Sequence, residues 1–391
     1  MKLTTIHPFP ARMAPEIAFK ELERLSSPRL VLDPMSGSGT VLRAAAELGH
    51  RAIGFDLDPL ATLMARVWTT PLKISLLPKA AERIVERAKA SSNEYLPWID
   101  ECEETREYIN FWFSRKQMTA LRRLAFSLVN RTGALADAMK IALSRIIITK
   151  ECGASLARDT SHSRPHRVFF DNEYDVYEGF LDSASRLAAR LLPEKLIGSV
   201  DVKRGDARRL ATLSRNSVDV VITSPPYLNA IDYLRGHRLS LVWLGYSVSR
   251  LRTLRSNTIG AERNASAELA SSPLDRLLRK AGATEELPAR ELGMVRRYAL
   301  DMSQFLGELS RVVKKGGRVL LVVGNSRLKG IAISNADISI AAGKMVGFEL
   351  VRQSERILPL SHRYLPLPAA NEVGSLGRRM RTETLLNFVV A

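Results

Sequence analysis

Apolar residues follow two different periodicities along this chain, and these periodicities separate strands from helices. Two short apolar runs that end in an acid, residues 29–33 and 51–56, flank a stretch of helical spacing at 41–48. Strand, helix and strand in that order predict a β-α-β unit and therefore a parallel sheet. Further strand-like segments continue the series at residues 200–203, 218–223, 318–323, 349–358 and 383–390.

The strand pattern is interrupted twice by regions of helical spacing. Residues 80–90, 105–130 and 134–148 place apolar and basic residues as helices do, and the arginine-rich region 241–302 does the same. We therefore predict a doubly wound, mainly parallel α/β catalytic domain built from residues 1–75, 195–240 and 303–391. Helical insertions are predicted at 76–194, as the candidate target-recognition region, and at 241–302.

Composition narrows the class of protein. The 391 residues are 46% hydrophobic, which allows a large core, but no apolar run is long enough to cross a bilayer. With no apolar signal segment at the start, we expect a cytoplasmic protein. Lys and Arg outnumber Asp and Glu by 58 to 41, a net charge of +17. Such an excess suits a polyanionic partner, although an ordinary basic enzyme is the alternative.

A glycine-containing turn after the first strand is the candidate cofactor loop. Gly37 and Gly39, two positions apart, allow a tight turn before a helix N-terminus. Leu42 replaces the third glycine of the dinucleotide fingerprint, and the Gly-Lys-Ser/Thr of a P-loop is missing. The candidate cofactor residues of this loop are Asp33, Pro34, Met35, Gly37, Ser38, Gly39 and Thr40.

Acids at the next two strand ends extend the candidate cofactor site. Asp56, followed by Leu57, stands where a carboxylate accepts from ribose hydroxyls, whereas Asp58 has the position of a helix N-cap before Pro59. Asp206, with Ala207 after it, is placed to accept from an adenine amino group. A turn aspartate is an equally good interpretation of Asp206.

The candidate catalytic loop is Ser224-Pro225-Pro226-Tyr227, directly after an apolar strand. Two prolines donate no backbone N–H, so the loop offers acceptors: carbonyl groups and the Ser224 hydroxyl. Acceptors on both hydrogens of an aromatic amine help to localise its lone pair for attack, and Tyr227 could stack on the base. A simple Pro-Pro turn is the alternative interpretation.

The cofactor loop and the catalytic loop together resemble those of the amino-group DNA methyltransferases, which make N4-methylcytosine or N6-methyladenine. That resemblance implies S-adenosyl-L-methionine as cofactor and direct in-line methyl transfer to a flipped base. Residues 7–13 resemble the segment that contacts the methionine part of the cofactor, which adds Pro10, Ala11 and Arg12 to the site. Residues 363–366 and 383–386 resemble later family segments more loosely. Ser224 favours cytosine, since adenine enzymes usually carry Asp or Asn there.

Basic residues within the first insertion are the candidate contacts to nucleic acid. They lie in a turn-forming stretch and comprise Arg158, His162, Arg164, His166 and Arg167. The alternative interpretation is an ordinary solvent-exposed basic loop. No other metal-ligating residues accompany the two histidines, so we predict no metal site. Residues 251–263, with Arg252, Arg255 and Arg263, form a possible second contact surface.

The favoured function is site-specific methylation of double-stranded DNA at cytosine N4, with a cognate restriction endonuclease as a possible partner. The alternatives are N6-adenine methylation, an RNA amino-methyltransferase acting on rRNA or tRNA, and a catalytically inactive nucleic-acid-binding scaffold. Intact cofactor and catalytic loops argue against the scaffold.

Overall fold

The centre of the molecule is a seven-stranded sheet, seen in a computed structural model that describes residues 3–9, 12–92, 94–158, 165–191, 196–228, 233–260, 287–358 and 382–391. The strands are β1 Leu30–Asp33, β2 Arg51–Asp56, β3 Ala157–Arg158, β4 His166–Arg167, β5 Ser199–Arg204, β6 Val218–Thr223, β7 Val313–Val323, β8 Ser326–Leu328, β9 Ile331–Ile333, β10 Phe348–Ile357 and β11 Thr382–Val390. The sheet order is β10-β11-β7-β6-β1-β2-β5, and β11 is antiparallel to both of its neighbours. The predicted mainly parallel, doubly wound sheet is confirmed.

Helices cover both faces of this sheet. They are α1 Pro15–Leu22, α2 Thr40–Glu47, α3 Pro59–Thr69, α4 Leu77–Ala90, α5 Pro97–Asp100, α6 Glu103–Trp112, α7 Arg115–Leu128, α8 Ala134–Ile147, α9 Val176–Leu191, α10 Tyr233–Leu241, α11 Val248–Ser256, α12 Ala289–Val312 and α13 Asn335–Met345. In the described part of the chain, no helix is both long and apolar enough to cross a membrane.

The predicted single helix at 105–130 is two helices, α6 and α7, and the break has a physical cause. Phe113 is extended, and its ring packs edge-on against Trp243 with centroids 5.1 Å apart. Ser114 follows in the extended conformation of an N-cap residue. The extended conformation of Phe113 lets its ring pack against Trp243, and this packing breaks the helix although the residues on both sides have helical spacing.

Alternating side chains of the central strands form two cores. On one face, Val31, Ile222 and Val322 pack with α1, α2, α3 and the helices of the first insertion. On the other face, Leu32 and Val221 pack with α12 and α13. This alternation is what a sheet buried on both sides requires.

Neither predicted insertion is an independent body. The helices of the first insertion share the core of the first sheet face, and α8 contacts α3 directly. Trp98 of α5 donates from Nε1 to the Val242 carbonyl at 2.8 Å, which ties the two insertions together. The predicted boundary between residues 302 and 303 falls inside α12, because the helix is continuous from Ala289 to Val312 and shares the core of the second sheet face from Met294 onward.

Candidate active site

The candidate site lies where the strand order reverses, between β1 and β6. Successive strands run outward from β1 to β2 and β5, and the chain then returns to the other side of β1 as β6. The carboxyl ends of β1 and β6 flank a crevice of the kind in which open α/β sheets bind ligands. Asp33 closes β1 and Ser224 follows β6, so the sheet brings the two predicted loops together.

Asp33 joins the two loops through a hydrogen bond. The Thr223 hydroxyl, at the end of β6, donates to Asp33 Oδ1 at 2.7 Å, and the Met35 N–H donates to the same oxygen at 3.3 Å. Asp33 is 3% exposed. Burial raises the pKa of this carboxyl from 3.8 to about 7, because the charged form has lost its solvation, while the Thr223 hydrogen bond acts in the opposite direction.

The two glycines of the cofactor loop are required by backbone conformation and by packing. Gly37 and Gly39 have φ angles of +50° and +92°. A Cβ on Gly39 would lie 3.0 Å from Ala65 of α3, and a Cβ on Gly37 would lie 3.0 Å from the ring of Phe9. The Phe9 ring of the N-terminal segment therefore lies directly on the loop.

Two hydroxyls of the same loop are buried without a bond. Ser36 and Ser38 are each 6% exposed, and their Oγ atoms have no hydrogen-bond partner among the described residues. Thr40 begins α2, whose first turn has no side-chain cap from Gly39. Buried donors left unpaired cost about 1–3 kcal/mol each, so a polar ligand on this loop would relieve that cost.

Asp56 holds the cofactor loop from the adjacent strand. Its two carboxylate oxygens accept one backbone N–H each, from Gly37 at 2.8 Å and from Asp58 at 2.9 Å. Burial and, to a smaller extent, the nearby Asp58 carboxylate raise the pKa of Asp56 to about 6. Each oxygen retains a lone pair, so the geometry is compatible with acceptance from a ribose diol.

Asp58 is the N-cap of α3, as its position before Pro59 predicted, and it has a second partner. Its Oδ1 accepts from Leu60 N at 2.8 Å, while its Oδ2 lies 2.5 Å from His237 Nδ1. His237 belongs to α10, which follows the catalytic loop, and both side chains are buried. Sequence reasoning missed His237, because its partner is 179 positions away and nothing near it in the sequence marks it.

Asp206 is engaged by an arginine. Its carboxylate accepts three bonds from the Arg208 guanidinium, the shortest at 2.7 Å, and one from the Arg208 backbone N–H at 2.9 Å. The bond from the Arg208 backbone N–H, two residues along the chain, is of the kind that a turn aspartate accepts. The bond to an adenine amino group stays a prediction. Arg208 also contacts Asp301 at 2.5 Å and the Asn257 carbonyl at 2.6 Å. Leu57 is half-buried and Ala207 is buried beside these acids.

The catalytic loop presents an oriented acceptor. Ser224 Oγ donates to the Val322 carbonyl of β7 at 2.9 Å, which commits the hydroxyl proton and leaves the oxygen lone pairs as acceptors. Tyr227 OH lies 3.4 Å from that oxygen. Burial raises the pKa of Tyr227 to about 12, so the ring is neutral at physiological pH. Pro225 is buried and Pro226 is half-buried.

The N-terminal segment is anchored on the first insertion. His7 Nε2 lies 2.9 Å from Ser144 Oγ of α8, and the Arg145 guanidinium bonds the Ile6 carbonyl. Phe9 packs with His237 at a centroid distance of 5.6 Å. Arg12 is half-buried, whereas Pro10 and Ala11 lie outside the described residues.

Three of the five predicted nucleic-acid residues, Arg158, His166 and Arg167, lie in the β3–β4 hairpin. Arg158 Nε donates to the Lys150 carbonyl at 2.7 Å, and the Arg167 guanidinium lies 5.0 Å from the Phe111 ring centroid. His166 is exposed. His162 and Arg164 lie outside the described residues. The hairpin is thus basic and partly exposed, and its position rests on contacts within the insertion.

Comparison with known proteins gives distant relatives of one kind. No protein-family model matches the chain. M.BsoBI, a Type II methyltransferase of Geobacillus stearothermophilus, is 22% identical over 84% of this chain and 74% of its own. M.MvaI of Kocuria varians is 22% identical over 97% and 89% of the two chains, and M.AvaI of a Nostoc strain is 24% identical over 87% and 76%. Both are also named as Type II methyltransferases.

Solved structures resemble the chain at low similarity. A SAM-dependent methyltransferase of Methanosarcina mazei has a TM-score of 0.34 and 9% identity, covering 97% of this chain and 99% of its own. The rRNA methyltransferase aviRa of Streptomyces viridochromogenes has a TM-score of 0.32 and 13% identity, covering 98% and 89%. The description of the fold therefore rests on the sheet order and strand directions observed in this chain.

Proposed function

We propose that this protein is an S-adenosyl-L-methionine-dependent methyltransferase acting on an exocyclic amine of a base in double-stranded DNA, with cytosine N4 as the target atom. The observation that carries the proposal is the Ser224 hydroxyl. Its proton is donated to the Val322 carbonyl, so the lone pairs of the Ser224 oxygen can accept hydrogen bonds beside the cofactor loop. The relatives named as Type II methyltransferases support methyl transfer to DNA and do not bear on the choice of base.

The residues of the cofactor loop fit the proposed cofactor. The cofactor supplies an electrophilic methyl group on a sulfonium sulfur. The orphaned hydroxyls of Ser36 and Ser38 and the remaining lone pairs of Asp56 suit its polar groups. Asp206 would accept from its adenine amino group in addition to holding Arg208. Residues 10–12 are assigned to its methionine part by the resemblance of their segment, and Phe9 fixes that segment on Gly37.

Catalysis by this chain would consist of orienting an amine. Ser224 Oγ would accept one amine hydrogen and the Pro225 carbonyl the other, which localises the nitrogen lone pair for attack. Neither proline donates an N–H that could compete for these acceptors. Tyr227, neutral at physiological pH, would stack on the flipped base.

Cytosine rather than adenine is proposed because of the residue at the first loop position. A serine hydroxyl whose proton is already committed offers an uncharged acceptor at Ser224. In the amino-methyltransferases that the chain resembles, serine there usually accompanies cytosine. The net charge of +17 supports a polyanionic substrate, and the β3–β4 hairpin is the proposed target-recognition element. A cognate restriction endonuclease is the proposed partner in the cell.

Nucleoside mass spectrometry of DNA from cells that express the protein tests the proposal. We expect N4-methylcytosine with the wild-type protein, and purified Ser224→Ala to have a turnover about 10- to 100-fold lower. Some activity should remain, because the Pro225 carbonyl still accepts one hydrogen. Tyr227→Ala should also lower turnover. Calorimetry should give an unchanged cofactor dissociation constant for both variants, since neither side chain belongs to the cofactor loop.

Ser217→Ala is the matched control, because Ser217 immediately precedes the opposite end of β6, where its hydroxyl donates to the Ser214 carbonyl at 2.8 Å. Its turnover should equal that of the wild-type protein. N6-methyladenine as the product would overturn the choice of base. Methylation of tRNA or rRNA but not of duplex DNA would overturn the choice of polymer. Cofactor binding without any transfer would indicate a scaffold.

A further inference from the structure

Helix α11 has the charge of a polyanion-binding element. Its nine residues, Val248–Ser256, include Arg250, Arg252 and Arg255 and no acid. Val248 and Leu251 are buried and hold the helix on the protein, while the three arginines are exposed. Arg252 forms an ion pair with Glu104 of α6.

The start of α11 is linked to the ligand-binding edge of the sheet. Arg204 is the last residue of β5, and its guanidinium donates to Tyr246 OH at 3.2 Å. The Arg250 guanidinium lies over the Tyr246 ring at 5.0 Å from its centroid. One tyrosine therefore orders two exposed arginines at the carboxyl end of a strand. A guanidinium stacked on a ring keeps its N–H edges available for a phosphate.

The end of α11 is linked to the catalytic loop. The Asn257 carbonyl, one residue beyond the helix, accepts from Arg208 at 2.6 Å. Gly260 follows, and its N–H donates to Asp301 at 3.3 Å. A Cβ on Gly260 would lie 3.6 Å from the Tyr227 carbonyl oxygen. The segment from Tyr246 to Gly260, which contains α11, therefore runs from the β5 end to the residue proposed to stack on the base.

We propose that Arg204, Tyr246 and Arg250, which we call the α11 surface, bind the phosphates of duplex DNA next to the target base. The proposal rests on the proposed function, and it adds the surface that binds the DNA substrate next to the active site. Backbone phosphates are the fitting ligand because guanidinium groups bind them with two parallel bonds. If the target base lies beside Tyr227, the phosphates that flank it in the DNA strand would lie next to α11.

The β3–β4 hairpin and the α11 surface then have different tasks. The hairpin is fixed within the first insertion, where Leu156 N bonds the Trp112 carbonyl at 2.8 Å and Arg158 bonds Lys150. The residues that flank α11 also reach beyond the first insertion, because Tyr246 contacts the sheet edge and Gly260 lies beside the catalytic loop. We therefore expect the hairpin to affect target choice, and the α11 surface to supply affinity that is independent of sequence.

The test measures binding of a fluorescein-labelled mixed-sequence DNA duplex over a series of NaCl concentrations. The double variant Arg204→Gln/Arg250→Gln should bind about tenfold more weakly at moderate salt. The slope of log affinity against log salt should fall by up to about two units, near 0.9 for each lost phosphate contact. Cofactor affinity by calorimetry should stay at the wild-type value, which also shows that the variant is folded.

Arg252→Gln is the matched control: it removes the same charge from the same helix, but from an arginine that Glu104 already neutralises. Its affinity and salt slope should stay near those of the wild-type protein. An unchanged slope in the double variant, or an equal loss in Arg252→Gln, would overturn the α11 surface. Tighter wild-type binding to an RNA duplex would overturn DNA as its partner. Failure of methyl transfer with intact, salt-dependent DNA binding would count against the proposed function alone.

Discussion

At the scale of single residues, Asp33 combines burial with a position at the centre of the crevice. Its carboxyl accepts from Thr223 and from the Met35 N–H, so it ties the cofactor loop to the strand that leads into the catalytic loop. Both bonds go to Oδ1, and an asparagine would retain that acceptor. The charge of Asp33 can therefore be removed with little change in its hydrogen bonds, which allows burial and bonding to be tested separately.

Asp33→Asn should stabilise the ligand-free protein at neutral pH and have little effect in acid. The folded-state pKa is about 7 and the ordinary value is 3.8, so the stability contributed by the protonated carboxyl is fully present below about pH 4. That stability is lost as the pH rises to about 7. Urea unfolding at pH 8 should give a free energy higher by about 2–4 kcal/mol for the variant.

Asp219→Asn is a control for which we expect a change of opposite sign in the free energy of unfolding at neutral pH. Partial burial works against ionisation there, but the bond from Lys314 and the Leu30 N–H hold the pKa of Asp219 below its usual value. Its contribution is present above the unfolded-state pKa and is lost as the pH falls. Asp219→Asn should therefore destabilise the protein at neutral pH. A pH-independent effect of Asp33→Asn would show that the folded-state carboxyl of Asp33 titrates normally.

At the scale of secondary-structure elements, the hydrogen bond between Asp58 and His237 connects the two halves of the site. Asp58 caps α3 and gives its own N–H to Asp56, while His237 belongs to α10 after the catalytic loop. A line of bonds therefore runs from α10 through Asp58 and Asp56 to Gly37. Displacement of α10 would be transmitted to the carboxylate proposed to bind ribose.

His237→Gln and Asp58→Asn should weaken cofactor binding in a non-additive way. We expect His237→Gln alone to raise the cofactor dissociation constant several-fold and to add little in the Asp58→Asn background. A double-mutant cycle should give a coupling free energy of about 1–3 kcal/mol, as expected for contacting residues in one network. Calorimetric titration of all four proteins measures it.

His50→Gln provides the control for loss of a buried histidine. His50 accepts from the Arg29 N–H at 3.2 Å, at the amino ends of β1 and β2 and away from the crevice. This variant should lose stability without losing cofactor affinity. If the effects of His237→Gln and Asp58→Asn on the cofactor dissociation constant were strictly additive, the bond between these two residues would have no part in cofactor binding.

Local sequence patterns predicted most elements of the sheet but not their tertiary links. The bounds of β2 and β6 match the apolar runs, because strands buried on both faces are continuous in hydrophobicity. The break at Phe113 was missed, since it depends on the distant Trp243. The bonds from Thr223 to Asp33 and from Ser224 to Val322 likewise join positions far apart in sequence, so only the fold reveals that the two motifs meet.

At the scale of the whole molecule, the first insertion and the sheet form one hydrophobic core. Val31 and Val322 of the sheet belong to the same cluster as Leu121 and Ile141 of the insertion. Contacts such as Ser183 Oγ to the Ala142 carbonyl bind the insertion helices to one another. A body with one core has no internal surface at which one part can unfold and leave the other intact.

The sheet and the first insertion should therefore unfold together. Trp68 lies in α3 beside the cofactor loop and Trp112 in α6 of the insertion, so single-tryptophan variants retaining one or the other report on the two parts. Their fluorescence midpoints in urea should coincide. Saturation with cofactor at about 100 times its dissociation constant should shift both by the same free energy, about 2.7 kcal/mol. If the cofactor shifted the Trp68 transition and left the Trp112 transition in place, the insertion would be an independently folding domain.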